Sequence, residues 1–402
     1  MKKTCISVLL IFLAGYLFAQ PACLKDVTYA LLQLKQIPNA RKMMEENCFP
    51  GNESSPDVWL VRGNVFIQCY EYELERKKDA EKKGAKYSIR WPDAIIIANE
   101  SFYKAVEIKH DIKPPLGLIS SQDGQLLTAP IIHDMAADAM EKRDYQGAVK
   151  LLNMVIRSYR VSPVENARNL SIASFDLANC YRALGDEANY KKILMDAAKL
   201  NVPIPQIYLT LYDIFKQEND TVKCGEILTQ ARKVIPDSLA TNVKGYELDY
   251  FAMISDTAKL KKAVTQMYEQ FKDKPAVINI IVGHLLNIRE YEMAEEMINA
   301  GLKIAPNDFD LNQQMTYRYF YEALDYDKIK EEKFKIKKYL DAEAAVYKTN
   351  EILKTAVIWA DKAYQIRNDD MKHNIMFSQI LVRLDMPFPE GLKEKIDSYR
   401  QR

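Results

Sequence analysis

After Pro205, large apolar residues return on one helical face: Tyr208, Leu211 and Phe215 stand at i, i+3 and i+7. A second stretch, closed by Pro236, carries Cys224, Leu228 and Ala231 at the same kind of spacing. This pattern predicts two amphipathic helices. Small side chains at 224 and 231 let them approach, and Tyr208, Leu211, Phe215 and Leu228 fill the space between. Pro236 ends the second helix, because it has no N–H and restricts the residue before it. The arrangement repeats. Pro203, Pro236, Pro275 and Pro306 follow one another at steps of 33, 39 and 31 residues. Cys224, Ala263 and Ala294 each stand 12 positions before the proline that follows them. A period near 34 residues, built from helix pairs, predicts a solenoid in which each pair packs on its neighbours.

The unit resembles a tetratricopeptide repeat, whose pattern has large residues at positions 4, 7, 11 and 24, small ones at 8, 20 and 27, and proline at 32. Tyr212 departs from it at small position 8. Leu177, Ala178, Tyr181, Gly185, Leu194 and Ala197 match in the unit before, where Tyr190 replaces the small residue at position 20. Val282, Leu285, Tyr291, Ala294, Ile298, Gly301 and Pro306 fall in register in a later one. The resemblance covers residues 27–386 and is strongest over 130–306. It implies an all-α, right-handed superhelical solenoid of about nine antiparallel hairpins.

Two hairpins are expected to be stretched. Trp59, Gly63 and Phe66 fit a first helix, but Ala98, Phe102 and Ala105 fit its partner only about 20 residues too late. The insertion near residues 71–92 contains a charged run, 73–83, expected to prolong a solvated helix. A second stretched unit spans residues 310–370, with Ala356, Ala360 and Ala363 late in it and the charged run 328–338 before them. Pro114, Pro115, Gly117, Gly124 and Pro130 predict an irregular loop over residues 114–130. The expected organisation is thus an N-terminal lobe over 20–113, that loop, a central array over 131–306 and a C-terminal lobe with capping helices over 307–402.

Charge narrows the partner class. With 56 basic and 55 acidic residues, the chain has no overall field to draw it to nucleic acid or anionic lipid. Residues 1–19 read as a secretory signal: Lys2 and Lys3, an apolar run over 6–18, then Ala19. An uncleaved anchor is the alternative reading, and the residues before Cys23 lack a lipoprotein pattern. No later stretch is apolar enough to span a membrane. The expectation is an exported protein of a Gram-negative bacterium, periplasmic or associated with the outer membrane. Five cysteines would remain after cleavage. Cys23 would open the first helix of a hairpin and Cys48 end the second, so they are the candidate disulfide. Cys224 reads as a buried thiol.

No catalytic constellation is present. The four histidines, His110, His133, His284 and His373, are far apart and have no paired ligand spacing. There is no glycine-rich phosphate loop and no G-x-S-x-G. Neither an enzyme nor a cofactor is expected.

Binding is the remaining function class. The family resemblance places groove-facing residues on the first helix of each hairpin: Asn64 and Gln68, Asn179 and Arg182, Asp213, Lys216 and Gln217, Asn287, then Tyr317, Phe320 and Tyr321. Tyr319, at position 11, should be buried. Asp220-Thr221, Asp237-Ser238 and Asp256-Thr257 resemble O-glycosylation acceptors at Thr221, Ser238 and Thr257, but helix capping alone is the favoured reading. The expected function is a non-enzymatic scaffold that binds another protein or peptide along the groove. A glycan or cell-wall accessory role and assembly of an outer-membrane or secretion complex are the alternatives.

Overall fold

The computed structural model describes residues 21–400. The signal over residues 1–19 lies outside them. Every regular element among the described residues is helical. They form nine consecutive pairs: α1 (Cys23–Leu32) and α2 (Ile37–Met43), α3 (Pro56–Lys82) and α4 (Ala94–Ile108), α5 (Ser121–Glu141) and α6 (Tyr145–Tyr159), α7 (Ala167–Ala183) and α8 (Glu187–Ala198), α9 (Pro205–Gln217) and α10 (Thr221–Val234), α11 (Thr241–Met253) and α12 (Thr257–Phe271), α13 (Pro275–Asn287) and α14 (Tyr291–Ile304), α15 (Phe309–Lys335) and α16 (Tyr339–Ile366), α17 (Met371–Arg383) and α18 (Leu392–Arg400). No described helix is long and apolar enough to cross a membrane.

One turn recurs within the pairs, and its chemistry explains the period. Arg143, Gly185, Asn219, Ser255, Arg289 and Lys337 all take positive φ, between 57° and 78°. From 185 to 289 they follow at 34, 36 and 34 residues. The next residue's N–H reaches back five positions, as from Asp186 to the Tyr181 carbonyl at 2.9 Å, from Asp220 to Phe215 at 2.9 Å and from Asp256 to Phe251 at 2.9 Å. This satisfies carbonyls that a helix end leaves open. The aspartate then caps the second helix: Asp144, Asp186, Asp220 and Asp256 accept from the backbone N–H of Gly147, Asn189, Lys223 and Lys259. One residue in the left-handed region followed by a carboxylate both closes one helix and opens the next.

The chain divides into two compact units, Met1–Ile207 and Tyr208–Arg402. This differs from the boundaries at residues 114–130 and 306 read from proline and glycine. In the first unit Cys23 and Cys48 are joined in a disulfide with Cα atoms 5.4 Å apart, tying the start of α1 to the end of α2's π-turn extension, Met44–Cys48. Phe102 on α4 is fully buried where two helices leave room for it. A Cβ on Gly63 of α3 would come within 2.7 Å of its ring, and one on Gly124 of α5 within 2.4 Å. The long end of α3 is held by Glu73, buried, which accepts from the Tyr87 hydroxyl at 2.9 Å and the Arg90 N–H at 2.6 Å. Asn99 ties three helices together: its Nδ2 donates to Thr128 Oγ1 at 2.7 Å and Ser158 Oγ at 2.8 Å.

The expected irregular loop over 114–130 is shorter than read. It ends at Ser120, whose Oγ accepts from the Asp123 N–H at 3.1 Å and starts α5. Pro130 sits inside that helix on its exposed side. Proline disfavours a helix interior through its missing N–H and ring clash. The buried face of Ser121, Gly124, Gln125, Thr128, Ala129, Ile132 and Ala136 continues through it at helical spacing, and that packing decides the conformation.

In the second unit most small-residue positions do what their spacing requires, although Ala263 is only half-buried. The Sγ of Cys224 approaches the Tyr212 carbonyl at 3.8 Å, and Ala231, Ala294 and Gly301 are buried. The stretched hairpin over 310–370 is the pair α15 and α16, of 27 and 28 residues.

Candidate functional site

The first helices α9, α11 and α13 of the second unit share a face that forms a cavity of about 480 Å³. Its walls include Asp213 and Lys216 from α9, Tyr246 and Asp249 from α11, and Ile280 and His284 from α13. A polar ladder one repeat in step connects the first two helices. Tyr246 donates from its hydroxyl to Asp213 Oδ2 at 3.0 Å, 33 positions away. Lys216 donates to both oxygens of Asp249, at 2.9 and 2.7 Å, across the same separation. Tyr212 donates to Asp249 Oδ2 at 2.7 Å, and its ring meets Tyr246 edge-on with centroids 5.1 Å apart.

Tyr212 is the departure from the repeat pattern, and the ladder accounts for it. A phenol at a normally small position carries a hydroxyl to the next helix. Burial, then its bond to Asp249, raises its pKa far above the usual phenol range. Burial, then the bond to Asp213, pushes Tyr246 up to about 12. Both therefore stay protonated and act as fixed donors. Burial holds the imidazole of His284 below its ordinary range. Its Nδ1 is buried and has no hydrogen-bond partner. A carboxylate pair holding one ammonium and two phenols has its strongest vacant capacity for donors, while Leu209, Met267 and Ile280 supply apolar wall.

The other sequence-derived candidates lie elsewhere. Asn64 is buried rather than offered to a partner: Nδ2 donates to the Leu60 and Ile119 carbonyls at 3.0 and 3.1 Å, and Oδ1 accepts from the Ile119 N–H at 2.9 Å. It fastens the loop over 109–120. Gln68, half-buried, bonds Glu71 at 2.7 Å. Asn179 is half-buried on α7, and the exposed Arg182 lies against Tyr190, the other departure from the pattern, with its guanidinium 5.5 Å from the ring centroid. Asn287 is exposed at the end of α13. Tyr317 and Tyr321 stack on each other, centroids 5.7 Å apart and planes 16° from parallel, and both are half-buried against the unit's core. Each thus covers a face of the other that a sugar would need. The buried member of that run is Arg318, in ion pairs with Glu295 and Glu322, while Tyr319 is only half-buried and donates to Glu295 at 2.9 Å.

Thr221, Ser238 and Thr257 are exposed. Asp220 and Asp256 before two of them serve as helix caps, and Asp237 opens a 3-10 turn, Asp237–Leu239. Cys69, Cys180 and Cys224 are buried thiols, and burial lifts Cys69 to about 12 and Cys180 to about 11. His133 bonds Asp176 at 2.8 Å, and His373 bonds the Ala360 carbonyl at 2.9 Å. Tyr246, Asp249 and His284 were missed from sequence. The signal for the first two was available: they stand 33 positions after Asp213 and Lys216.

No family model and no curated protein matches the chain. Among solved structures it is similar to the C-terminal part of a TPR repeat-containing protein from Cytophaga hutchinsonii, at 16% identity over 66% of this chain and 99% of that one, with a TM-score of 0.36. It is similar to Pseudomonas aeruginosa pilF at 13% identity, over 62% and 90%, with a TM-score of 0.29. An IFIT1 monomeric mutant with Gppp-AAAA matches at 9% identity, over 91% and 78%, with a TM-score of 0.37. Likenesses this distant assign no function. The chain's own register says more: Leu177, Ala178, Leu194 and Ala197 in one hairpin, and Val282, Leu285, Ala294, Ile298 and Gly301 in another, are all buried where the repeat pattern places them. The fold is tetratricopeptide-like.

Proposed function

We propose that this chain is a non-enzymatic scaffold that binds an extended segment of another protein along the shared face of α9, α11 and α13. The ladder of Asp213–Tyr246 and Lys216–Asp249 carries the reading, because its two rungs join first helices one hairpin apart and line a cavity of about 480 Å³. A segment lying across the helices would present backbone or cationic donors to Asp213 and Asp249 and an apolar side chain to Ile280. Selectivity then comes from polar pattern and shape more than from area. The basic and apolar start of the sequence and the Cys23–Cys48 disulfide support an exported protein of the bacterial envelope.

The test is affinity capture from the native envelope fraction by the parent and by a variant carrying Lys216→Ala, Tyr246→Phe and Ile280→Ser. Lys216 is half-exposed, so its ion pair contributes under about 1 kcal/mol to stability. Capture by the parent and its loss in a variant of unchanged thermal stability is the expected result. Equal capture by both would remove the groove as the site.

A further inference from the structure

The long hairpin of α15 and α16 ends in a tip whose packing is inverted. Ala342 and Ala345 are buried in its seam, while the large apolar residues Phe334, Ile336, Tyr339, Leu340 and Tyr347 face outward, with Leu340 82% and Phe334 64% exposed. A hairpin that needed only its own stability would place large residues inside and small ones out. The last ties of α15 to other helices are the pairs of Asp325 with Arg289 and of Asp327 with Arg383. Beyond them, every hydrogen bond and ion pair of residues 328–348 stays within the hairpin. At 1.5 Å per residue, the nine residues from Asp327 to Ile336 carry the tip about 14 Å past those ties.

Charge is concentrated at the same place. Residues 328–338 hold six lysines and two glutamates, and Asp325, Asp327, Asp341 and Glu343 flank them, so the positive charge is unbalanced only at the turn. Lys328, Lys330 and Lys333 pair with Asp325, Asp327 and Asp341. Lys335, Lys337 and Lys338, at the turn itself, are exposed and make no ion pair. Under them a cleft of about 590 Å³ opens between the two helices, walled by Phe334, Tyr339, Ala342 and Val346, with Lys330 and Lys335 and the carboxylates of Glu331 and Glu343 at its sides.

We propose that this tip docks on an anionic lipid surface. Phe334, Ile336, Tyr339 and Leu340 enter the boundary between headgroups and acyl chains, and Lys335, Lys337 and Lys338 meet the phosphates. Exposed aromatic and aliphatic side chains ringed by lysines are what interfacial binding requires. Exposed apolar side chains beside three unpaired ammonium groups fit acyl chains below their headgroups better than an acidic peptide, which would need donors along its length. The near-zero total charge hides this feature, because the hairpin's own carboxylates balance its other lysines and leave Lys335, Lys337 and Lys338 unpaired at the turn.

Co-sedimentation of the full chain with phosphatidylcholine vesicles, with and without phosphatidylglycerol, tests the proposal. Binding is expected only to the anionic vesicles and should weaken with salt. Replacing Lys335, Lys337 and Lys338 by glutamate should lower partitioning at least about 100-fold, since each basic residue near such a surface contributes about 1 kcal/mol, or roughly fivefold. Phe334→Ser with Leu340→Ser keeps every charge and should also lose binding. Leu340→Trp should shift its emission to the blue on the anionic vesicles alone. All these positions are exposed, so melting temperatures should match the parent. Binding of the Phe334→Ser, Leu340→Ser variant at parental strength would overturn insertion. Absence of vesicle binding by the parent, with self-association lost in the same variant, would overturn the lipid assignment in favour of a second copy.

Discussion

Replacing Asn64 by alanine separates a structural asparagine from a groove asparagine. Three hydrogen bonds disappear, two to the backbone of Ile119 and one to the Leu60 carbonyl. Each contributes about 1 kcal/mol net, and the Ile119 N–H and carbonyl are half-buried, so their partial rehydration recovers some of the loss. The expected destabilisation is about 2–3 kcal/mol. For a unit of about 200 residues this lowers Tm by roughly 5–10 °C. The loss should be local first, because the side chain spans from α3 to the loop at 109–120 and Leu118 is buried beneath that loop. Amide exchange of residues 112–119 and proteolytic nicking there should therefore accelerate more than exchange in α7. Differential scanning calorimetry with hydrogen exchange reads both effects. An unchanged Tm and unchanged loop protection, with capture of a partner abolished, would refute the structural role and return Asn64 to the groove.

Gly124→Ala should destabilise the first unit by about 1–3 kcal/mol through contact with the Phe102 ring, and Phe102→Leu should relieve part of it, which a double-mutant cycle by urea denaturation would show. Reducing the Cys23–Cys48 bond, which closes a 25-residue separation, should cost about 3 kcal/mol, read as a lower Tm in dithiothreitol that is absent from a Cys23→Ser, Cys48→Ser variant. His284 and His373 are held neutral by burial, so their folded pKa values lie below the unfolded value near 6.5. The unfolded state then binds more protons, and stability falls as pH drops below about 6.5. A variant with His284→Gln and His373→Gln should show a flatter Tm profile between pH 6.5 and 5, whatever its absolute stability.

Much of the architecture was legible in the one-dimensional pattern. Helix pairs repeat because their buried faces recur at i, i+3 and i+7, and the solenoid's contacts are mostly between neighbours, so local pattern and global packing coincide. The stretched hairpins, the Cys23–Cys48 juxtaposition and the small residues at 224 and 294 follow from that register. Other features depend on what the folded chain brings near. Pro130 and Gly124 read as loop formers, and a continuous buried face made them helical. Asn64 carries the amide of a groove residue, and a loop 55 positions away occupies it. Asp213 and Lys216 were found one by one, whereas the ladder that makes them a site required Tyr246 and Asp249 to arrive from the next repeat. Overall charge near zero was a sequence fact, and the cationic apolar tip of α15 and α16 was not deducible from it. Periodicity determined most of the elements, because helix burial is largely local, the start of α5 through Pro130 being the exception. Which side chains meet across repeats, and which are left facing outward, was decided by tertiary packing, since those contacts link residues about 33 or more positions apart.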